Sequence, residues 1–235
     1  MSLYDIGDQL YFEGRYQEAA DIFRECIDKQ LELNSSINYL GCCELQLGNF
    51  EQALGWFDEV IGRAPHWERP HMNKSRVFIK QGNLIEAKKC LDDALQINPE
   101  HEDVYYYLGI YYEKCDDLFK AEEAYNKSLG IDANQPETLL NQGIVVSRQG
   151  KYVEAIGYFQ KVIALDPNES DAYWNITQIY VSTKDYNQAL LYLDKYMFLN
   201  KDDEEAQELR VTLEREMTDS RTPITKDISK RETSS

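Results

Sequence analysis

Three histidines, five cysteines and several paired carboxylates are the residues of this 235-residue chain whose types could hold a metal or do covalent chemistry. His66, His71 and His101 fall in or just after turn-like stretches, and the His66-x4-His71 spacing has no paired cysteines to complete a tetrahedral zinc set. Cys26, Cys42, Cys43, Cys90 and Cys115 form no Cys-x-x-Cys pair, and their odd number suits reduced, packed thiols better than a disulfide framework. On a helix, adjacent side chains point about 100° apart, so the neighbouring thiols of Cys42 and Cys43 should meet different partners. Asp92-Asp93 and Glu122-Glu123 read as solvated helix surface, and no Gly-rich phosphate loop, Gly-x-Ser-x-Gly elbow or His-Glu-x-x-His helix is present. The expectation is a chain with no catalytic residues, no metal and no cofactor.

Polar side chains of a different kind recur at fixed spacing, and that recurrence belongs to the whole chain. Ala19, Ala53, Ala87, Ala121, Ala155 and Ala189 follow one another at about 34 residues, the length of one helix-turn-helix unit. Before each alanine stands a small slot, Gly7, Gly41, Ser75, Gly109, Gly143 and Thr177, where a neighbouring helix can approach closely. One turn after each alanine comes a bulky apolar residue: Phe23, Phe57, Leu91, Tyr125, Phe159 and Leu193. Another precedes it: Tyr16, Phe50, Leu84, Leu118, Tyr152 and Tyr186. These offsets put alanine and ring on one face of each second helix.

Punctuation coincides with the period. Gly14, Gly48, Gly82 and Gly150, replaced by Asp116 and Lys184 in two units, stand where the first helix must end in a left-handed turn. Pro65, Pro99 and Pro167 stop second helices. The reading is six units, about 1–33, 34–67, 68–101, 102–135, 136–169 and 170–203. A polar-backed capping helix over 204–217 follows, with Ala206, Leu209, Leu213 and Met217 on one stripe. The Ser/Thr-rich stretch 218–235 reads as a disordered tail. Polar residues in apolar slots, Glu44, His71, Lys74 and Gln142, suggest looser packing between the second and third units.

Composition bounds the function. With 43% hydrophobic and 12% aromatic residues the chain can bury a sizeable core, and no apolar run reaches the roughly 18 residues of a membrane span. A net charge of −17 without a basic cluster disfavours nucleic acid and leaves basic or mixed-charge partners. The first residues are acidic and periodic, unlike an export signal, and the sequon Asn175-Ile176-Thr177 lies inside a helical pattern, so the expected location is cytoplasmic.

The small, Tyr/Phe, Ala, Phe and Pro positions together resemble the tetratricopeptide repeat (TPR) family over roughly residues 1–203. The resemblance implies an all-α fold, a right-handed superhelix or α-solenoid, whose first helices line a concave face that binds partners. The implied activity is that of a non-catalytic adaptor or scaffold holding a partner peptide or helix in the groove; a self-assembling homo-oligomer is the alternative.

On the first helices, two positions before the small slot, stand Asp5, Tyr39, Asn73, Tyr107, Asn141 and Asn175, with Trp174 one step before the last and Arg76 one turn after Asn73. Asparagine is a poor helix former, and at a groove position its amide suits an extended peptide backbone. Tyrosine and tryptophan add flat contact with a polar handle. Tyr39, Asn73, Arg76, Tyr107, Asn141, Trp174 and Asn175 are therefore the candidate peptide-binding residues. The asparagine series is similar to the ladder in the superhelical repeats of O-GlcNAc transferases, with two rungs changed to tyrosine. The same amides could instead bridge neighbouring repeats, and both readings stand at this point. Chaperone-docking members of the family use Lys, Asn, Asn, Lys and Arg as a two-carboxylate clamp; Asp103 and Tyr107, or Asp171 and Asn175, occupy the second basic positions here, which argues against anionic C-terminal tails as ligands.

Overall fold

The computed structural model describes residues 1–221; most of the tail expected over 218–235 lies outside the described residues. Every element among the described residues is an α-helix, and the chain divides into two compact units, Met1–Thr138 and Leu139–Ser235.

The first unit holds α1 (Leu3–Phe12), α2 (Tyr16–Asp28), α3 (Leu33–Gln46), α4 (Phe50–Arg63), α5 (Glu68–Gln81), α6 (Leu84–Ile97), α7 (Glu102–Lys114) and α8 (Leu118–Ile131). α9 (Pro136–Arg148) begins in it and continues into the second unit, which holds α10 (Tyr152–Leu165), α11 (Ser170–Ser182), α12 (Tyr186–Leu199) and α13 (Glu204–Arg221). α13 thus extends past residue 217, where the capping helix was expected to end.

Each first helix ends in the same way. The residue after the turn donates its N–H to a carbonyl five positions back, as Arg15 does to Leu10 at 2.9 Å, Asn49 to Glu44 at 2.8 Å and Asp185 to Tyr180 at 2.9 Å. This closure needs a left-handed residue in the turn. Gly82 supplies it at φ 73°, while Lys184 adopts φ 60° at the equivalent place despite its Cβ.

The small slot fixes how closely the two helices of a hairpin approach. A Cβ on Gly41 would sit 2.6 Å from the ring of Phe57, and one on Gly143 would sit 2.6 Å from Phe159, so each ring lies directly against its glycine. Where the slot is Ser75 or Thr177, the facing second-helix position is Leu91 or Leu193, and all four are fully buried. Volume added on one helix is removed from the other, which keeps the interior close-packed.

Within the first unit, Cys43 packs with Phe23 and Leu40, whereas Cys42 packs with Leu45, Phe57 and Val77. The vicinal thiols do face different neighbours. Burial pushes the Cys43 thiol up to about 12 and raises Cys42 as well, which leaves both protonated and inert. In the second unit Ala189, Leu193, Ala206 and Leu213 form the core that joins α12 to α13.

Polar residues in apolar slots of the first unit are tied rather than loosely packed. Glu44 is 1% exposed and accepts from Arg24 Nη2 at 2.6 Å and from Asn49 Nδ2 at 2.8 Å, which links α2 to α3. Lys74 reaches Asp58 at 2.6 Å, which links α4 to α5, the hairpins of the second and third units. Pairing offsets part of the desolvation cost of a buried charge, whereas removing one partner would strand the other. His71 keeps a buried ring nitrogen, Nε2, with no hydrogen-bond partner among the described residues, as His101 does at Nδ1.

Candidate functional site

First helices of the first unit enclose a pocket of about 530 Å³. α5 contributes Met72 and Arg76 to its wall, α7 contributes Asp103, Tyr106 and Tyr107, and α1 contributes Phe12, which is 75% exposed. Gln135 and the opening residues of α9, Glu137 and Thr138, complete the wall. Gln135 is held in place by donating Nε2 to the carbonyls of Ser128 and Asp132, and its Oε1 accepts from Thr138 Oγ1 at 3.0 Å.

Arg76 is the focus of this wall. Its guanidinium lies 5.2 Å from the centre of the Tyr107 ring, an attractive cation–π geometry. Nη1 donates to Asn73 Oδ1 at 3.0 Å, and the Tyr11 hydroxyl and the Cys42 thiol lie beside the guanidinium. α1, α3, α5 and α7 therefore all place a side chain against one cation. Burial pushes the hydroxyls of Tyr11 and Tyr107 up to about 12, so both remain neutral hydrogen-bonding groups at physiological pH. The Asp103 carboxyl is also raised, chiefly by burial, although His101, Arg69 and Arg76 pull the other way.

The other sequence candidates lie elsewhere. Asn73 is 4% exposed and sits behind Arg76; its Nδ2 donates to Asn38 Oδ1 at 3.0 Å, so its amide bridges α3 and α5. Tyr39 packs in an aromatic cluster, its ring stacked 5.2 Å from Phe23 and edge-on to Tyr4 and Tyr11, and burial, together with the Asp8 carboxylate that its hydroxyl faces, raises its pKa. Neither residue lines the pocket. In the second unit Trp174 packs on Tyr196 at 4.8 Å, Asn175 donates to its own helix at Asp171 O, and Asn141 is half-buried. Of the seven candidates the pocket brings together Arg76 and Tyr107, with Asn73 supporting them. Sequence reasoning passed over Phe12, at the end of α1, and Gln135 and Thr138, at a repeat boundary; an exposed phenylalanine just before the turn glycine, Gly14, was the one available signal.

His101, Glu102 and Asp103 bring one possible ligand atom each within 4.8 Å of one another. They sit at the start of α7, where the positive end of the helix dipole opposes a cation, and His101 Nε2 is turned toward Glu68 at 3.5 Å.

Three models of the tetratricopeptide repeat match the chain, over residues 4–66, 69–101 and 148–213, together well over half of it. The chain belongs to the tetratricopeptide repeat family. Among curated relatives, human protein O-mannosyl-transferase TMTC2 is 25% identical over 100 residues, 41% of this chain and 12% of that protein. Tetratricopeptide repeat-containing protein trd-1 of Caenorhabditis elegans is 27% identical over 101 residues, 43% of this chain and 13% of that one. The chain thus spans about an eighth of the length of these relatives.

Solved structures agree on the fold. The Cut9–Hcn1 hetero-tetramer of APC/C superposes with TM-score 0.79 at 15% identity, over 90% of this chain and 42% of that one. PilF of Pseudomonas aeruginosa gives 0.71 at 18% identity over 89% and 96%. YrrB, a TPR protein described as having an unusual peptide-binding site, gives 0.60 at 22% identity over 81% and 98%. The tetratricopeptide fold is an all-α solenoid of helical hairpins and serves generally as a protein–protein interaction module. No described helix is long and apolar enough to cross a membrane.

Proposed function

We propose that this chain is a non-catalytic adaptor that holds an extended segment of a partner protein against the first helices of its first unit, in the cytoplasm. The observation that carries the reading is the pocket around Arg76: apolar side chains (Phe12, Met72), tyrosines and a single cation converge where a peptide could lie, on helices that the hairpin cores hold rigid. Flat aromatic contact beside a few placed polar groups is the composition of protein-binding hot spots. The acidic surface, with a chain charge of −17, favours partners that carry basic or mixed charge and speeds their encounter.

Photo-cross-linking tests it. A benzoyl-phenylalanine placed at Phe12 or Tyr106 should capture a partner from source-cell extract, whereas the same group at Ile85, an 83% exposed second-helix position outside the pocket, should not. Capture at Ile85 alone would move the binding face away from the pocket and end this reading.

A further inference from the structure

Arg76 differs from Glu44 and Lys74, two other inward-facing charges of the first unit. Glu44 has Arg24 at 2.6 Å and Lys74 has Asp58 at 2.6 Å, each an opposite charge. Arg76 forms no ion pair with a described residue. The groups that hold it, the Asn73 amide and the face of Tyr107, are neutral, and so are the nearby Tyr11 hydroxyl and Cys42 thiol. Asp103 shares the pocket wall without pairing to it. Asp103 acts on the guanidinium only at a distance, so a partly buried charge with no paired carboxylate keeps part of its desolvation cost, which an arriving anion would relieve. Arginine has five N–H donors in a planar fork, and the neutral acceptors leave donors free for the bidentate geometry that a carboxylate fits.

We infer that Arg76 reads one internal acidic side chain, aspartate or glutamate, in the partner segment, flanked by apolar residues that meet Phe12 and Met72. This rests on the peptide-groove reading above and names what that groove selects. The charge pattern decides between a single acid and a run of them. Asp103 and Glu137 stand on the same wall, so a second carboxylate on the ligand meets repulsion, and basic residues beside the acid are favoured. One cation matches one carboxylate, which commits the source to a side chain inside the segment rather than to a chain terminus that brings its own α-carboxylate.

Selection of displayed random 12-residue peptides on the immobilised full chain tests this, with one library anchored at both ends and a second displaying a free C-terminus. Peptides from the anchored library should align on a single Asp or Glu with apolar neighbours and should lose binding to Phe12→Ala. Arg76→Glu should weaken those peptides at least tenfold and, in a fresh selection, should replace the acid by Lys or Arg at the aligned position. Arg76→Lys keeps the charge and should retain the acidic preference, which separates charge reading from loss of fold; circular dichroism of each variant gives the same check. Groove-dependent peptides with no aligned acid would overturn the inference while leaving the groove reading standing. So would an acid preference confined to the free-terminus library, or one unchanged by Arg76→Glu in a folded variant. If neither library yields peptides sensitive to Phe12→Ala, the groove reading itself fails and this inference with it.

Discussion

Asn73 Nδ2 donates to Asn38 Oδ1 at 3.0 Å, joining the first helix of one hairpin to the first helix of the hairpin before it. The same Asn73 amide accepts from Arg76, so one buried side chain serves both the stacking of repeats and the aim of the pocket cation. Asn175, at the corresponding place in the sixth repeat, hydrogen-bonds only its own helix, at Asp171 O, 2.8 Å away.

The two asparagines should therefore respond differently to truncation. Asn73→Ala leaves the Asn38 amide and an Arg76 donor without a partner and should cost about 1–3 kcal/mol, whereas Asn175→Ala should stay within about 0.5 kcal/mol. Urea unfolding of the two variants measures the difference. Equal costs would mean that the bridge contributes nothing beyond helix propensity.

Gly41 and Phe57 form a volume pair, since a methyl on the glycine would lie 2.6 Å from the ring. Gly41→Ala alone should destabilise by about 1–3 kcal/mol through overpacking. Adding Phe57→Leu should recover part of that cost, reproducing the Ser75 and Leu91 combination of the next repeat, with a coupling of about 1 kcal/mol in a double-mutant cycle. Strict additivity would show that the slot tolerates a Cβ without help from its neighbour.

Lys184 holds φ at 60° in a turn where four other repeats place glycine. Lys184→Gly should stabilise by about 0.5–1 kcal/mol by removing the left-handed penalty. Gly82→Ala should lose about 1 kcal/mol for the converse reason, because no atom lies within 4 Å of the added Cβ and the cost is purely conformational. Thermal melts of both variants, at matched protein concentration, give the sign directly.

His71 should make stability depend on pH. Burial of its ring holds its pKa below the ordinary 6.5, with Lys74 acting in the same direction and Asp93 and Asp58 against it. In the unfolded chain the imidazole takes up a proton as pH falls through about 6.5, while the folded protein resists it until lower pH. The unfolded state thus binds more protons in that window, and stability is lost as pH falls. His71→Phe should flatten the stability profile between about pH 7 and pH 5 relative to wild type. Parallel profiles in chemical denaturation would rule the residue out as a source of acid sensitivity.

How much of this is legible without coordinates depends on the distance over which each contact acts. The glycine-to-ring spacing, the alanine face and the left-handed turn all lie within one hairpin, where helical geometry converts sequence offset into contact. Those features could be read from residue types, and the substitution of Asp116 and Lys184 for turn glycines marked two strained sites that the structure shows at φ 56° and 60°. The fate of each asparagine could not be read in the same way. Asn73 meets Asn38 rather than a position exactly one period away, and only the rotation between successive hairpins decides which side chains come opposite.

By itself, then, the sequence determined the helical hairpin, its turn, its internal packing and the repeat family, because each depends on residues a turn or two apart or facing one another across a single loop. Tertiary structure alone decided that Phe12, Arg76 and Tyr107 share a pocket while Tyr39 does not, and that Arg76 stands there without an ion pair to any described residue. The physical reason is that the pocket is built across repeats. Its lining depends on how four first helices are stacked, and the rotation between hairpins carries one recurring register position to the wall and buries its equivalent behind it.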